Sequence, residues 1–193
     1  MNITVAHKES YSRGELLLRT LFGAIYIVIP HTVVLVFVMF WSEILAFATF
    51  WIALFTGSIP EGIFSFQTRA LSWSYRLSAS MMNLVDGYPP IGLNQSLEGV
   101  AFEVERPERV SRGSVLLRTI FGALYVGIPH GIALGFRTIG TEVLLFLAFW
   151  AVLFTGKYPE KWHSFNVGTL RWTERLTLYM MYFTDEYPPF SGK

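Results

Sequence analysis

Polar and apolar stretches follow one another in this chain in an order that occurs twice. The first eleven residues are polar, with Ile3 and Val5 alternating. Ala101-Phe102-Glu103-Val104-Glu105 alternates more clearly. A period of two predicts short strands, which could pair with each other. From Thr20 to Ser42 there is no Asp, Glu, Lys or Arg, and one histidine. Leu16–Phe40 is 25 residues, about 37 Å as a helix, enough to cross a hydrocarbon core of about 30 Å. The run exceeds a signal-peptide h-region and is read as retained. Ser42-Glu43 and Thr141-Glu142 resemble helix N-caps with an acid in the first turn. They predict a turn and a second apolar helix, Ile44–Phe55 and Val143–Phe154, about 20 Å long. At that length, whether it fully crosses is open. Thr56-Gly57 and Pro60 end it. A one-sided helix over about 60–85 follows, with apolar Ile63, Phe66, Ala70, Trp73, Leu77, Met81 and Leu84 at helical spacing, and it predicts an amphipathic helix at a membrane surface. Tyr-Pro-Pro then runs extended.

The chain matches itself at an offset of 99 residues without a gap. Ser12-Arg13-Gly14, Arg19-Thr20, Ile29-Pro30-His31, Phe55-Thr56-Gly57, Trp73, Arg76 and Asp86-x-Tyr88-Pro89-Pro90 all recur, and about half of the aligned positions are identical. One unit is therefore duplicated, over 1–93 and 100–193, with the polar linker 94–99 between. Only 15% of residues are charged and mean hydropathy is +0.43, against roughly a quarter charged in soluble domains. That composition points to a membrane. A net charge of +1 gives no field for nucleic acid, and zero cysteines exclude disulfides and thiolate chemistry.

If each repeat is a helical hairpin, 14 of the 15 basic residues fall on the side of its ends, leaving Arg137 alone at a far turn. The positive-inside rule makes that side, with both termini, cytoplasmic. A single crossing per repeat, His31 to Thr56, would instead put Glu43 near mid-membrane. The expected fold is all-α and membrane-embedded. It has two tandem hairpins, about four embedded helices, each hairpin followed by an amphipathic interfacial helix, and a pseudo-twofold along the membrane normal.

Repeat 2 carries Ile128-Pro129-His130, Leu153-Phe154-Thr155-Gly156-Lys157-Tyr158-Pro159, Leu170-Arg171-Trp172-Thr173-Glu174-Arg175 and Thr184-Asp185-Glu186-Tyr187-Pro188-Pro189-Phe190. This set resembles a bacterial membrane family, domain of unknown function 4389, present here as two tandem copies. Repeat 1 departs from it at Ser58-Ile59, Ser72, Val85, Gly87 and Ile91. The resemblance implies an inner-membrane protein and no particular activity.

Pro30 and Pro129 have no N–H, so the carbonyls of Tyr26 and Tyr125 lose their helical partners. His31 and His130 either help satisfy that freed backbone, relay protons, or hold a haem between them. Gly127, Gly131 and Gly135 form a small-residue face suited to close helix packing, between the two repeats or with a partner. Arg69, Arg76, Arg171 and Arg175, with Trp73 and Trp172, suit anionic headgroups and an interfacial belt. The alternative pairs Arg76 and Arg175 with Asp86 and Asp185. No spacing suits a metal, and no nucleophile elbow, phosphate loop or dinucleotide fingerprint is present. The expectation is a non-catalytic accessory or scaffold subunit of a membrane complex. It is not an enzyme, it needs no cofactor, and its partners are lipids and a membrane protein or a second copy. A small transporter, channel or lipid-handling protein is the alternative, and a haem-bearing electron carrier the weaker one.

Overall fold

The computed structural model describes residues 1–193. Each repeat is a strand, a long helix and a shorter helix: β1 (Asn2–Val5), α1 (Arg13–Thr56), α2 (Glu61–Met81), then β2 (Val100–Glu103), α3 (Arg112–Thr155) and α4 (Glu160–Met180). Two of the four helices, α1 and α3, are long and apolar enough to cross a membrane.

The long helices begin where the Ser-Arg-Gly motif caps them. The Ser12 Oγ accepts from the Glu15 N–H, and the Ser111 Oγ accepts from the Ser114 N–H. They end at Gly57 and Gly156, whose φ of 70° and 72° is left-handed. There the glycine N–H bonds the carbonyl four residues back. Nothing breaks the helix in between. The expected hairpins are therefore absent, because Ser42-Glu43 and Arg137–Thr141 continue the helix. The Ser42 carbonyl accepts from the Gln67 amide, and the Arg137 guanidinium bends over Phe165 and donates to the Phe165 carbonyl. A Ser/Thr-Glu pair reads as a cap only where the backbone stops, and the apolar residues on both sides keep it going.

The shorter helices do not stand apart from the rest of the protein either. α2 packs against α1, β2 and α4, and buries Phe64, Gln67, Ala70, Leu71, Trp73, Tyr75 and Arg76. It stops four residues earlier than its pattern suggests, because Asn83 (φ 54°) turns the chain left-handed and the Leu84 N–H bonds the Ala79 carbonyl. Tyr182 does the same after α4.

The two repeats close on each other reciprocally. β1 and β2 pair antiparallel, as their alternation suggests, in a register that places Ile3 opposite Phe102. These are equivalent residues, so the pseudo-twofold passes between them. Arg13–Gly23 packs on the Ile128–Thr155 segment of α3, and Arg112–Gly122 on the Ile29–Thr56 segment of α1. The Tyr11 N–H bonds the Gly156 carbonyl, and the Val110 N–H bonds the Gly57 carbonyl. The start of each long helix thus meets the end of the other. They run antiparallel, with the pseudo-twofold perpendicular to both, so two membrane-crossing helices in the same orientation are ruled out. One core of 20 buried residues, including Leu16, Ala53, Val115 and Val152, spans both repeats.

Tyr75 and Glu174 hold equivalent places and come near each other where α2 and α4 pack. Neither the Tyr75 hydroxyl nor Glu174 Oε2 has a hydrogen-bond partner, and burial pushes the Glu174 carboxyl up to about 7. The folded chain therefore holds this proton more tightly than the unfolded chain does. The associated stability is complete below the ordinary carboxylate range and is lost as pH rises through about 7. Glu174→Gln is expected to stabilise the protein above that pH by on the order of 1–3 kcal/mol and to change little in acid. Chemical denaturation in detergent at both pH extremes measures this.

Candidate functional site

The motifs shared by the repeats converge on the first half of each long helix. Just before Pro30, α1 makes one π turn, Ala24–Val28, in which the Ile29 N–H reaches back five residues to the Ala24 carbonyl. α3 repeats it over Ala123–Gly127 before Pro129. A π turn and a proline together leave backbone acceptors open. The segment after α2 answers them. The Tyr88 hydroxyl donates to the Tyr26 carbonyl (3.3 Å), and the Tyr187 hydroxyl to the Tyr125 carbonyl (3.1 Å). These are the carbonyls the prolines orphan.

His31 and His130 are fully buried. The Trp73 indole N–H donates to His31 Nδ1 (2.8 Å), and the Trp172 indole N–H to His130 Nδ1 (2.9 Å). An accepting Nδ1 fixes the neutral tautomer with its hydrogen on Nε2. In repeat 1 that Nε2–H donates to the Pro89 carbonyl at 3.0 Å. In repeat 2 it has no partner, and the Phe190 ring stacks on the imidazole instead, 4.0 Å away and 9° from parallel. The departure of repeat 1 from the family pattern at Ile91, the counterpart of Phe190, coincides with this change. Neither histidine has a lone pair free for a metal.

Arg19 and Arg118 complete the clasp. They lie one turn before the π turn and are buried to 3% and 1% exposure. Arg19 donates to the Asn83 side chain and to the Val85 and Gly87 carbonyls. Arg118 donates to the Tyr179 and Thr184 carbonyls, pairs with Asp185 and lies over the Tyr179 ring. Asp86 and Asp185 accept from the N–H of the capping residues Ser12 and Ser111. The Asp-x-Tyr-Pro-Pro strap thus holds a helix start, an orphaned carbonyl and, in repeat 1, a histidine. Sequence reasoning singled out the histidines and passed over Arg19 and Arg118. Their recurrence in both repeats beside an uncharged run was the available signal.

A family model described as Domain of unknown function (DUF4389) matches residues 13–91 and 112–192. The chain belongs to that family, in two tandem copies. No curated protein and no solved structure matches it. Each DUF4389 copy spans one long helix, one short helix and the strap, so the family motif and the clasp coincide.

The remaining candidates are placed otherwise. Trp73 and Trp172 are buried against histidine, away from any surface. Arg76 donates to the Gly92 carbonyl and Ser72, not to Asp86. Arg175 bonds the Lys193 carbonyl, not Asp185. Arg171 donates to the carbonyls of Ile3 and Gly192, and exposed Arg69 donates to Asn94. A Cβ on Gly131 or Gly135 would meet nothing within 4 Å, so the repeats do not pack on that face. Gly168 has the opposite role: a Cβ there would lie 2.8 Å from the Gly192 carbonyl, so glycine lets the C-terminal tail lie on α4.

Trp172→Phe removes a donor and leaves a buried imidazole nitrogen bare, so it is expected to lower stability by about 1–3 kcal/mol. Arg118→Ala strands Asp185 and two carbonyls, and is expected to cost more, about 3–5 kcal/mol. Denaturant titrations in detergent measure both.

Proposed function

We propose that this DUF4389 protein is a membrane-associated scaffold, an accessory subunit of a larger inner-membrane assembly that works by association. The observation that carries this reading is the unpartnered apolar face of α1 and α3. It includes Leu18, Phe22, Phe37, Phe47 and Phe55 in α1, and Leu117, Phe136, Phe146 and Phe154 in α3, each at least 49% exposed. Water would not leave such faces bare. The buried polar groups support the same reading. His31, Arg19, Arg118 and the two tryptophans are committed to bracing each repeat from within. The clustering of basic residues near the strands and helix ends supports a cytoplasmic side for the termini.

Part of the docking surface is the Gly127/Gly131/Gly135 face, which lies exposed on α3 and lets another backbone come close. A second reading, lipid handling, is favoured by one observation. A groove of ≈ 750 Å³ opens beside Ala46, between α1 and residues Leu176–Tyr182, lined by Phe47 and Phe50.

Native purification in mild detergent, with identification of the proteins that co-purify, tests the proposal. Gly131→Leu has room for its side chain and is expected to leave stability unchanged while releasing partner chains at least several-fold. Leu147→Ala, on another exposed position, is expected to retain them. If Gly131→Leu keeps every partner, and function is instead lost with His130→Ala accompanied by a visible absorption band in the wild type, the histidine-centred reading replaces this one.

A further inference from the structure

Granting the membrane association proposed above, the geometry says how the molecule sits. The exposed apolar stripe of α1 runs from Leu17 to Phe55, and that of α3 from Leu116 to Phe154, 39 residues each. At helical rise this is about 58 Å, nearly twice a hydrocarbon core of about 30 Å. Fitting it across a bilayer would need a tilt near 60°, outside the roughly 0–40° that spanning helices adopt.

Symmetry adds a second constraint. The pseudo-twofold is perpendicular to both long helices and passes through the Ile3–Phe102 pair of the β ribbon. If α1 and α3 crossed the membrane, that axis would lie in the membrane plane, half-way along them. The ribbon would then sit at mid-bilayer depth. Yet Asn2 and Glu103 at its end are exposed and bonded to each other, and each strand of the two-stranded ribbon keeps one unpaired edge. Exposed polar backbone and an exposed carboxylate are not tolerated at that depth. Leu16 beside Val152 puts the half-way point near Val34.

Both conflicts vanish if the axis stands upright. We infer that the protein lies in a single leaflet, with α1 and α3 parallel to the membrane plane, their apolar faces sunk among the acyl chains, and the β ribbon turned to water. The layering fits. The ribbon packs on α2 and α4, and those helices pack in turn on α1 and α3. Both termini and the linker then share one side without any crossing. Outside the Gly127/Gly131/Gly135 face, the partner of the long apolar faces is the acyl layer of a lipid surface.

The chain has no cysteine, so single cysteines at Leu18, Ile25, Val36 and Phe47, all exposed, can each carry a nitroxide. The 7 residues from Leu18 to Ile25 and the 11 from Val36 to Phe47 are near-whole helical turns; the π turn Ala24–Val28 between the pairs rotates the second by about a quarter turn, still on the exposed side. The protein is reconstituted in vesicles of phosphatidylethanolamine and phosphatidylglycerol and recovered by flotation. Depth is read from relaxation by oxygen against a water-soluble nickel chelate. The expected result is one depth at all four sites, within about a helix radius, and free access of the chelate to a label at Glu103→Cys. A profile deepest at Val36, with Leu18 and Phe47 near water and Glu103→Cys shielded, overturns the in-plane seating while leaving membrane association intact. Failure to float with the vesicles overturns the membrane reading itself, and this inference with it.

Discussion

Proline lacks an N–H, and in each long helix that single missing donor organises the surroundings. The helix responds by one wider turn, and a carbonyl at Tyr26 or Tyr125 is left without its usual partner. An acceptor so placed is costly to leave bare and is met by another part of the chain. The strap after each short helix meets it with a tyrosine hydroxyl. Bringing that tyrosine into place also brings the flanking carbonyls within reach of a buried arginine. The order of motifs along each repeat therefore records one mechanical linkage: cap, arginine, wide turn, proline, histidine, then the indole and the strap that close on them.

The same linkage explains the histidines better than chemistry does. A buried imidazole is stable when both nitrogens are used, and the indole N–H settles which one accepts. Repeat 1 uses both. Repeat 2 leaves Nε2 bare and covers the ring with Phe190. The two sites differ while their Trp–His bonds do not, so the shared part is the brace.

Much of this was legible in the sequence, and what was not has identifiable causes. The duplication, the extended character of the two alternating segments and the helix stops at Gly57 and Gly156 follow from local rules that tertiary context does not override. The turn at Ser42-Glu43 was misread because a capping pair looks the same in mid-helix, where only the absence of a breaker distinguishes it. The short helices looked interfacial because a one-sided apolar pattern does not say whether lipid or protein covers it. Trp73 and Trp172 likewise read as belt residues, since an indole N–H seeks a headgroup or a buried acceptor with equal ease. The antiparallel relation of the long helices depends on contacts between residues more than a hundred apart, such as Arg13 with the Phe154 carbonyl, and no periodicity reports those.

The ribbon carries a consequence for ancestry. Ile3 faces its own counterpart Phe102, and the Gly57 and Gly156 carbonyls are each taken by the opposite repeat. These backbone contacts between the halves occur twice, once in each direction, as in an isologous joint. A chain with one copy of the motif would therefore present a strand edge and a helix end that a second identical chain completes. The fused protein is, in symmetry, a homodimer whose subunits have been tied together. Fusion frees each half to drift, and the glycine face on α3, whose counterparts in α1 are Val28, Thr32 and Val36, shows the halves already diverging on the side that faces outward.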